Sequence, residues 1–303
     1  MRRPVAITLR VLALVIVYFV GFTVIAAIVL PTPQPETSNA DNVNTFLALI
    51  AISFLNTIVM TYVVLRSRWS GWKLVLTLTM VIFGVTTLMP QIETVVFVRS
   101  LPEGFVARLF VLGFVFSAIF APLAVLILGK YRSEETSQAQ LRLQLSVGQW
   151  SLRLALIALI YVVVYFTFGY FIAWRSPAVR AYYGGTDPGS FLLQIRSVLR
   201  ETPWLPALQI LRGLLWAILA IPVIRMMKGQ WWEAGLAVAL LFGVVMNTQL
   251  LLPNPLMPYE VRMMHLLETA TSNFLFGWVL VWLLIKKGRD TTRSQISDLG
   301  SQK

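Results

Sequence analysis

Residues 259 to 274 read YEVRMMHLLETATSNF and contain the only histidine of the chain. On a helix, Arg262, His265, Glu268, Thr269 and Ser272 recur at three- and four-residue steps and share one face, while Leu267, Phe274 and Trp278 point elsewhere. A histidine and a carboxylate within hydrogen-bond reach make an acid–base pair, in which the carboxylate orients the ring and stabilises its charged form. The same spacing can hold a metal if a further carboxylate faces it, and Glu93 is the candidate for that role. One histidine is thin for a metal centre, so the expectation is no metal and no cofactor. A zinc-protease HExxH is absent, since the histidine here precedes the glutamate and has no second histidine. With no cysteine, disulfides and thiolate chemistry are excluded. No glycine-rich phosphate loop occurs, and Gly184-Gly185 reads as a turn.

The elements that must carry this pair are membrane spans. Of 303 residues, 57% are hydrophobic and 13% charged, against roughly a quarter charged in a soluble domain. Eight apolar segments are long enough to cross about 30 Å of hydrocarbon: approximately 7–30, 44–65, 74–98, 105–128, 150–174, 204–224, 233–252 and 262–285. The first, from Val5 to Leu30, is too long for a signal-peptide core and reads as uncleaved. The net charge of +12 does not indicate nucleic-acid binding, because the basic residues fall in the gaps between spans. Fifteen Lys and Arg lie on the side of the N-terminus and seven on the other, so both termini are expected in the cytoplasm of a bacterial-type inner or plasma membrane. Tryptophans such as Trp69, Trp72, Trp150, Trp174, Trp204, Trp231 and Trp232 mark span ends. The fold class is therefore all-α and polytopic, with eight transmembrane helices.

Depth, counted at 1.5 Å per residue, collects the polar residues near one level. His265 and Arg262 fall at the outer boundary, Glu268 just inside it, and Ser272 and Asn273 deeper. Gln91 and Glu93 of the third span reach that outer level, as do Asn247 and Gln249 of the seventh, Arg108 of the fourth and Arg212 of the sixth. Polar groups in lipid are costly unless they face water or one another. Together they predict an outward-facing polar pocket, with Pro90 kinking the third span beside Gln91 and Glu93. The bland alternative is an ion-pair network, with Arg212 or Arg262 balancing Glu268, and Glu93 pairing with Arg108.

Self-similarity suggests two parallel four-span repeats. Leu9-Arg10 with Tyr18 matches Leu152-Arg153 with Tyr161 at an offset of 143, and Trp72 with Phe83-Gly84 matches Trp231 with Phe242-Gly243 at 159. Pro102 to Lys130 matches Pro258 to Lys286 at 156. The expected organisation is residues 1–129 as the first repeat, 130–148 as a cytoplasmic linker, 149–287 as the second repeat and 288–303 as a disordered tail. The extra length of the second half lies in an outer loop, 175–203, whose stretch 188–200 is amphipathic and fits a helix lying on the outer membrane surface or capping the outer mouth.

Three functions fit these features. Transport or binding of a small ligand or ion ranks first, with His265 or Glu268 as the proton-coupled group. An outer-leaflet enzyme acting on an anionic lipid or lipid-linked group follows, with Arg108, Arg212 and Arg262 holding the headgroup. A non-catalytic assembly or partner-binding subunit is third. The expected partners are membrane lipids and a small anionic ligand or lipid headgroup, not nucleic acid, and the oligomeric state is open.

Overall fold

The computed structural model describes residues 2–30, 39–98, 101–132, 143, 145–254 and 256–285. The expected tail 288–303, most of the 130–148 linker and the 31–43 loop up to residue 38 lie outside the described residues. Eight helical segments are long and apolar enough to cross a membrane: Val5–Val29, Val43–Leu65, Gly71–Phe97, Phe105–Ile127, Val147–Arg175, Leu205–Met226, Trp231–Leu251 and Tyr259–Leu284. The spans are built on α1 (Arg2–Val29), α2 (Asn39–Leu65), α3 (Gly71–Phe83), α4 (Met89–Phe97), α5 (Phe105–Ile127), α6 (Val147–Phe171), α9 (Leu205–Met226), α10 (Trp231–Leu240) and α11 (Tyr259–Leu284), with α7 (Pro177–Tyr183) and α8 (Phe191–Glu201) between α6 and α9.

These helices are apolar all round, so polarity does not decide which face is buried. On α1, Leu12, Ile16, Val20, Val24 and Ile28 form an exposed stripe, while Leu14, Tyr18 and Ile25 are buried. Small residues let the buried faces approach closely: a Cβ on Gly213 of α9 would meet the Ala158 Cα of α6 at 3.0 Å, and one on Gly277 of α11 would meet the Ala239 Cα of α10 at 3.0 Å. Side-chain volume at the seam, not hydrophobicity, sets the packing.

The neighbours repeat between the first four spans and the last four. α1 packs on α2 and α5, and α3 on α5; correspondingly, α6 packs on α9 and α11, and α10 on α11. Between the two sets, α2 lies against α10 and the segment after it, and α3 against α9. Arg10 donates to the carbonyl of Leu128 at 3.3 Å, and Arg153 to that of Leu284 at 3.0 Å. Each thus satisfies a carbonyl left open at the end of a neighbouring helix. Tyr18 meets Phe120 with centroids 5.2 Å apart, and Tyr161 meets Phe276 at 4.8 Å. Among the described residues the only β-pairing is an isolated antiparallel bridge, Ser67 to Met227, joining the end of α2 to the end of α9.

Two spans are broken. In the third, Gly84–Leu88 forms a π-helical turn, with Met89 N–H bonded to Gly84 O five residues back. Pro90 follows at once; it cannot donate to Thr86 O and would clash with it, and the wider turn absorbs both problems. The expected kink is therefore a π-turn placed just before the proline. In the seventh span Leu241–Val245 makes a second π-turn and Thr248–Leu251 a 3-10 turn, so the span has no regular α-helix in its second half. The two π-turns pack against each other.

The loop between α6 and α9 is helical. α7 starts at a Ser176 cap with Pro177 behind it and ends at Gly184, whose φ of +71° suits only a residue without Cβ strain. α8 has a Ser190 cap and no buried residue, with Leu192, Leu193 and Leu199 exposed. Phe191 anchors it to Tyr170 and Phe171, at 5.4 and 6.0 Å between centroids.

Candidate functional site

One helical turn of α11 brings the expected pair together. His265 Nδ1 lies 2.9 Å from Glu268 Oε2, with the side chains 19% and 10% exposed. The other ring nitrogen, Nε2, lies 3.1 Å from the hydroxyl of Tyr183, the last residue of α7. This makes a Tyr–His–Glu chain in which the carboxylate fixes one face of the ring and the phenol the other. Burial pushes the Tyr183 phenol well above its usual range, and the charges of Glu93, Tyr182 and Glu268 add to the effect. Tyr183 is therefore a neutral donor or acceptor at any physiological pH. With His265 neutral and protonated on Nδ1, the ring donates to Glu268 and accepts from Tyr183; protonated, it donates to both.

Beside the pair stands a second cluster. Arg212 of α9, 1% exposed, forms an ion pair at 2.5 Å with Glu93 of α4, which is 28% exposed. The same guanidinium donates to Gln209 Oε1 at 2.9 Å and sits 5.5 Å from the centre of the Tyr161 ring. Glu93 therefore pairs with Arg212, not with Arg108, which is exposed. Nor does either expected arginine balance Glu268. Arg262 instead donates to the carbonyl of Leu250 at 2.9 Å and lies 5.8 Å from the Tyr259 ring, closing the end of the 3-10 turn. A 3-10 turn leaves its last carbonyls open, and the nearest long donor satisfies one of them.

A polar line runs inward from the pair. Thr269 Oγ1 lies 2.6 Å from Asn247 Oδ1, and Asn247 Nδ2 donates at 3.0 Å to the carbonyls of both Phe242 and Gly243, which belong to the second π-turn. Next to it Thr248 donates to Asn56 Oδ1 at 3.0 Å, and Asn56 Nδ2 to the Tyr18 hydroxyl at 2.8 Å. Ser272 bonds back to the Thr269 carbonyl at 3.3 Å, and Asn273 reaches Met246 Sδ at 3.2 Å. Gln91 is buried, and its Oε1, like Gln209 Nε2 and Arg212 Nε, has no hydrogen-bond partner among the described residues. Gln249 is exposed on the 3-10 turn. Of the expected residues, then, His265, Glu268, Glu93, Arg212 and Asn247 belong to the two clusters and the line, Gln91, Ser272 and Asn273 are buried in the bundle, and Arg108 and Gln249 are exposed.

At the opposite end Arg66, just after α2, bonds through Nε to Glu233 Oε2 of α10 at 2.9 Å, and Tyr62 donates to the Glu233 carbonyl at 3.2 Å.

Tyr183, Tyr161 and Gln209 were not expected in the site. Tyr183 had a usable signal in the sequence, since Ser176-Pro177 and Gly184 bracket a short helix that ends on it. Among the described residues no three metal-ligating side chains converge. Neither a family model, nor a curated protein, nor a solved structure matches this chain.

Proposed function

We propose that this chain is a membrane carrier for a small polar ligand or ion, built as two parallel four-span repeats with both termini in the cytoplasm, and coupled to protonation of the His265–Glu268 pair. The observation that carries this reading is the pair of π-turns, at Gly84–Leu88 and Leu241–Val245, which interrupt the third and seventh spans and pack on each other. Matching interruptions in the two halves mark carrier sites, because only broken helices offer backbone polar groups in mid-membrane. The Ser67–Met227 bridge supports a two-fold relation: Arg68 N–H bonds to Met226 O at 2.8 Å and Lys228 N–H to Arg66 O at 2.9 Å, a pairing that exchanging the two halves leaves unchanged.

The two ion pairs between the halves lie at opposite ends. Glu93–Arg212 joins the third and sixth spans at the outer end, and Arg66–Glu233 joins the second and seventh at the inner end. They are suited to act as the two gates of alternating access. The proton stays on the His265–Glu268 pair; the pair is tied to the broken segment by Thr269, whose one hydrogen is shared between two acceptors, Asn247 Oδ1 and the His265 carbonyl at 2.5 Å.

Charge bookkeeping at the pair itself narrows the ligand. Arg212 is neutralised by Glu93 and the Arg262 charge is turned to the Leu250 carbonyl, so the His265–Glu268 pair taken alone carries −1 with His265 neutral and zero after one proton. This favours a cation or a neutral polar ligand over the anion that the three arginines suggest by count. An enzyme of the outer leaflet is a second reading, favoured by the ring of His265 held between Glu268 and Tyr183, the geometry of an oriented general base.

Proteoliposomes on a solid-supported membrane, challenged with small organic cations, neutral polyols and carboxylates under an imposed proton gradient, test the carrier reading. Wild type should give a gradient-dependent current with a cation or neutral compound, and Glu268→Gln should abolish it. Gradient-independent conversion of a lipid-linked compound, with no current for any class, would replace the carrier by the enzyme.

A further inference from the structure

The inner end of the bundle gathers cations at one point. The Ser67–Met227 bridge holds Arg66, Arg68 and Lys228 side by side on its two strands. Lys130, at the end of α5, reaches the same place, its Nζ donating to Ser67 O at 2.8 Å and its carbonyl accepting from Gly71 N–H at 3.0 Å. Arg66 is matched by Glu233. Arg68 spends its Nε on Arg225 O at 3.0 Å, and among the described residues no carboxylate lies within ion-pair distance of Arg68 or Lys228. Aromatic rings border the cluster: Trp72 meets Tyr131 at 5.8 Å, and Lys73 lies 4.6 Å over Trp69. Orientation by positive charge needs only that cations be on one side, in any loop. It does not require cations from the ends of three different spans to meet on one bridge.

We propose that Arg68, Lys130 and Lys228 form a site for a phosphate group, brought either by the headgroup of an anionic phospholipid in the adjoining leaflet or by free phosphate. The guanidinium offers a planar pair of donors, and the two ammoniums close the opposite side. Burial and the nearby Lys228 both work against the charge on Lys130. A phosphate between the lysines converts that repulsion into attraction. Lipid bound here touches the ends of α2 and α9, which belong to different halves, and so couples the surrounding leaflet to their relative position.

The test uses the full chain in mild detergent, with lipid retention read by native mass spectrometry and thermal unfolding measured alongside. Phosphatidylglycerol should be retained and raise the melting temperature, and phosphatidylcholine should do neither. The K130Q/K228Q double variant should bind phosphatidylglycerol about 30-fold more weakly, and K228Q alone about 5-fold. The Lys228 side chain makes no hydrogen bond among the described residues, so K228Q remains informative if the Lys130 change disturbs folding. Stabilisation by inorganic phosphate, lost in the same variants, would support the site with a soluble source. Equal retention of the two lipids, unchanged binding in K228Q and the double variant, or an equal loss in R196Q/R200Q on α8, would overturn it.

Discussion

The ion pair between Glu93 and Arg212 supports a double-mutant prediction in which a second substitution repairs the first. Arg212 is 1% exposed and Glu93 28% exposed, so the two partners differ in what happens when the other is removed. Glu93→Gln leaves a guanidinium that cannot lose its proton and cannot reach water. Removing one partner of a buried pair costs 3–5 kcal/mol, and because only one of the two positions is fully buried this case falls at the low end, about 3 kcal/mol. Arg212→Met leaves a carboxylate that can hydrate or take a proton, and its main cost is Gln209 Oε1, buried and stripped of its donor, at about 1–2 kcal/mol. The double variant has the same orphaned amide and no stranded charge, so it too should lose about 1–2 kcal/mol. It should thus be more stable than Glu93→Gln alone, with a coupling of about 3 kcal/mol. Reversible unfolding in mixed micelles, followed by tryptophan fluorescence, measures all four corners of the cycle. If the losses instead add to about 4–5 kcal/mol, the pair does not exist as described and Glu93 faces another group.

Three further outcomes can be checked on the same preparations. Gly277→Leu puts side-chain atoms where a Cβ alone would lie 3.0 Å from the Ala239 backbone, and should cost about 1–3 kcal/mol in unfolding, whereas Gly104→Leu, where a Cβ meets nothing within 4 Å, should be limited to the strain of its φ of +70°. Asn56→Leu takes the donor from the Tyr18 hydroxyl and leaves Thr248 only its 3.3 Å bond to the Val245 carbonyl, and should cost about 1–3 kcal/mol, with Asn56→Asp no better because it buries a carboxylate in the bundle interior with only two hydroxyls to solvate it. Because burial raises the Tyr183 phenol, its ionisation is absent at neutral pH and enters only well above the ordinary tyrosine range. In an absorbance titration Tyr183→Phe should leave the rise near pH 10 unchanged and remove amplitude only above it; loss of amplitude near pH 10 would mean that Tyr183 is solvated.

Much of the architecture was legible because the bilayer imposes a length on each span, and apolar runs of that length rarely have another use. The third and seventh spans show where that reading thins. A run of apolar residues such as Leu240 to Met246 carries no mark of whether its hydrogen bonds close after four residues or five; Pro90 signals a break, but not that the chain will widen into a π-turn before it. Depth could be counted, and it placed Glu93 and Arg212 near one level. Azimuth could not, because lipid-facing and protein-facing sides of these helices are equally apolar, as the exposed and buried stripes of α1 are. For that reason Arg108, one helix away in sequence, was the natural partner for Glu93, and Arg212 from the sixth span was not.

The arginines bear on where the proton goes. Of the seven arginines within the membrane spans, four bond through their side chains to a group on another span or at its end, work that a fixed charge performs: Arg10 and Arg153 hold helix-end carbonyls, Arg262 holds the end of the 3-10 turn, and Arg212 holds Glu93. None can release its charge near neutral pH. Glu93 and Glu233 each face an arginine. His265 and Glu268 face each other with no arginine between them, so adding a proton there changes the charge of the pair without breaking a permanent ion pair. The proposed proton coupling therefore rests on that contact, and Thr269, bonded to the His265 carbonyl and to Asn247, ties it to the broken seventh span.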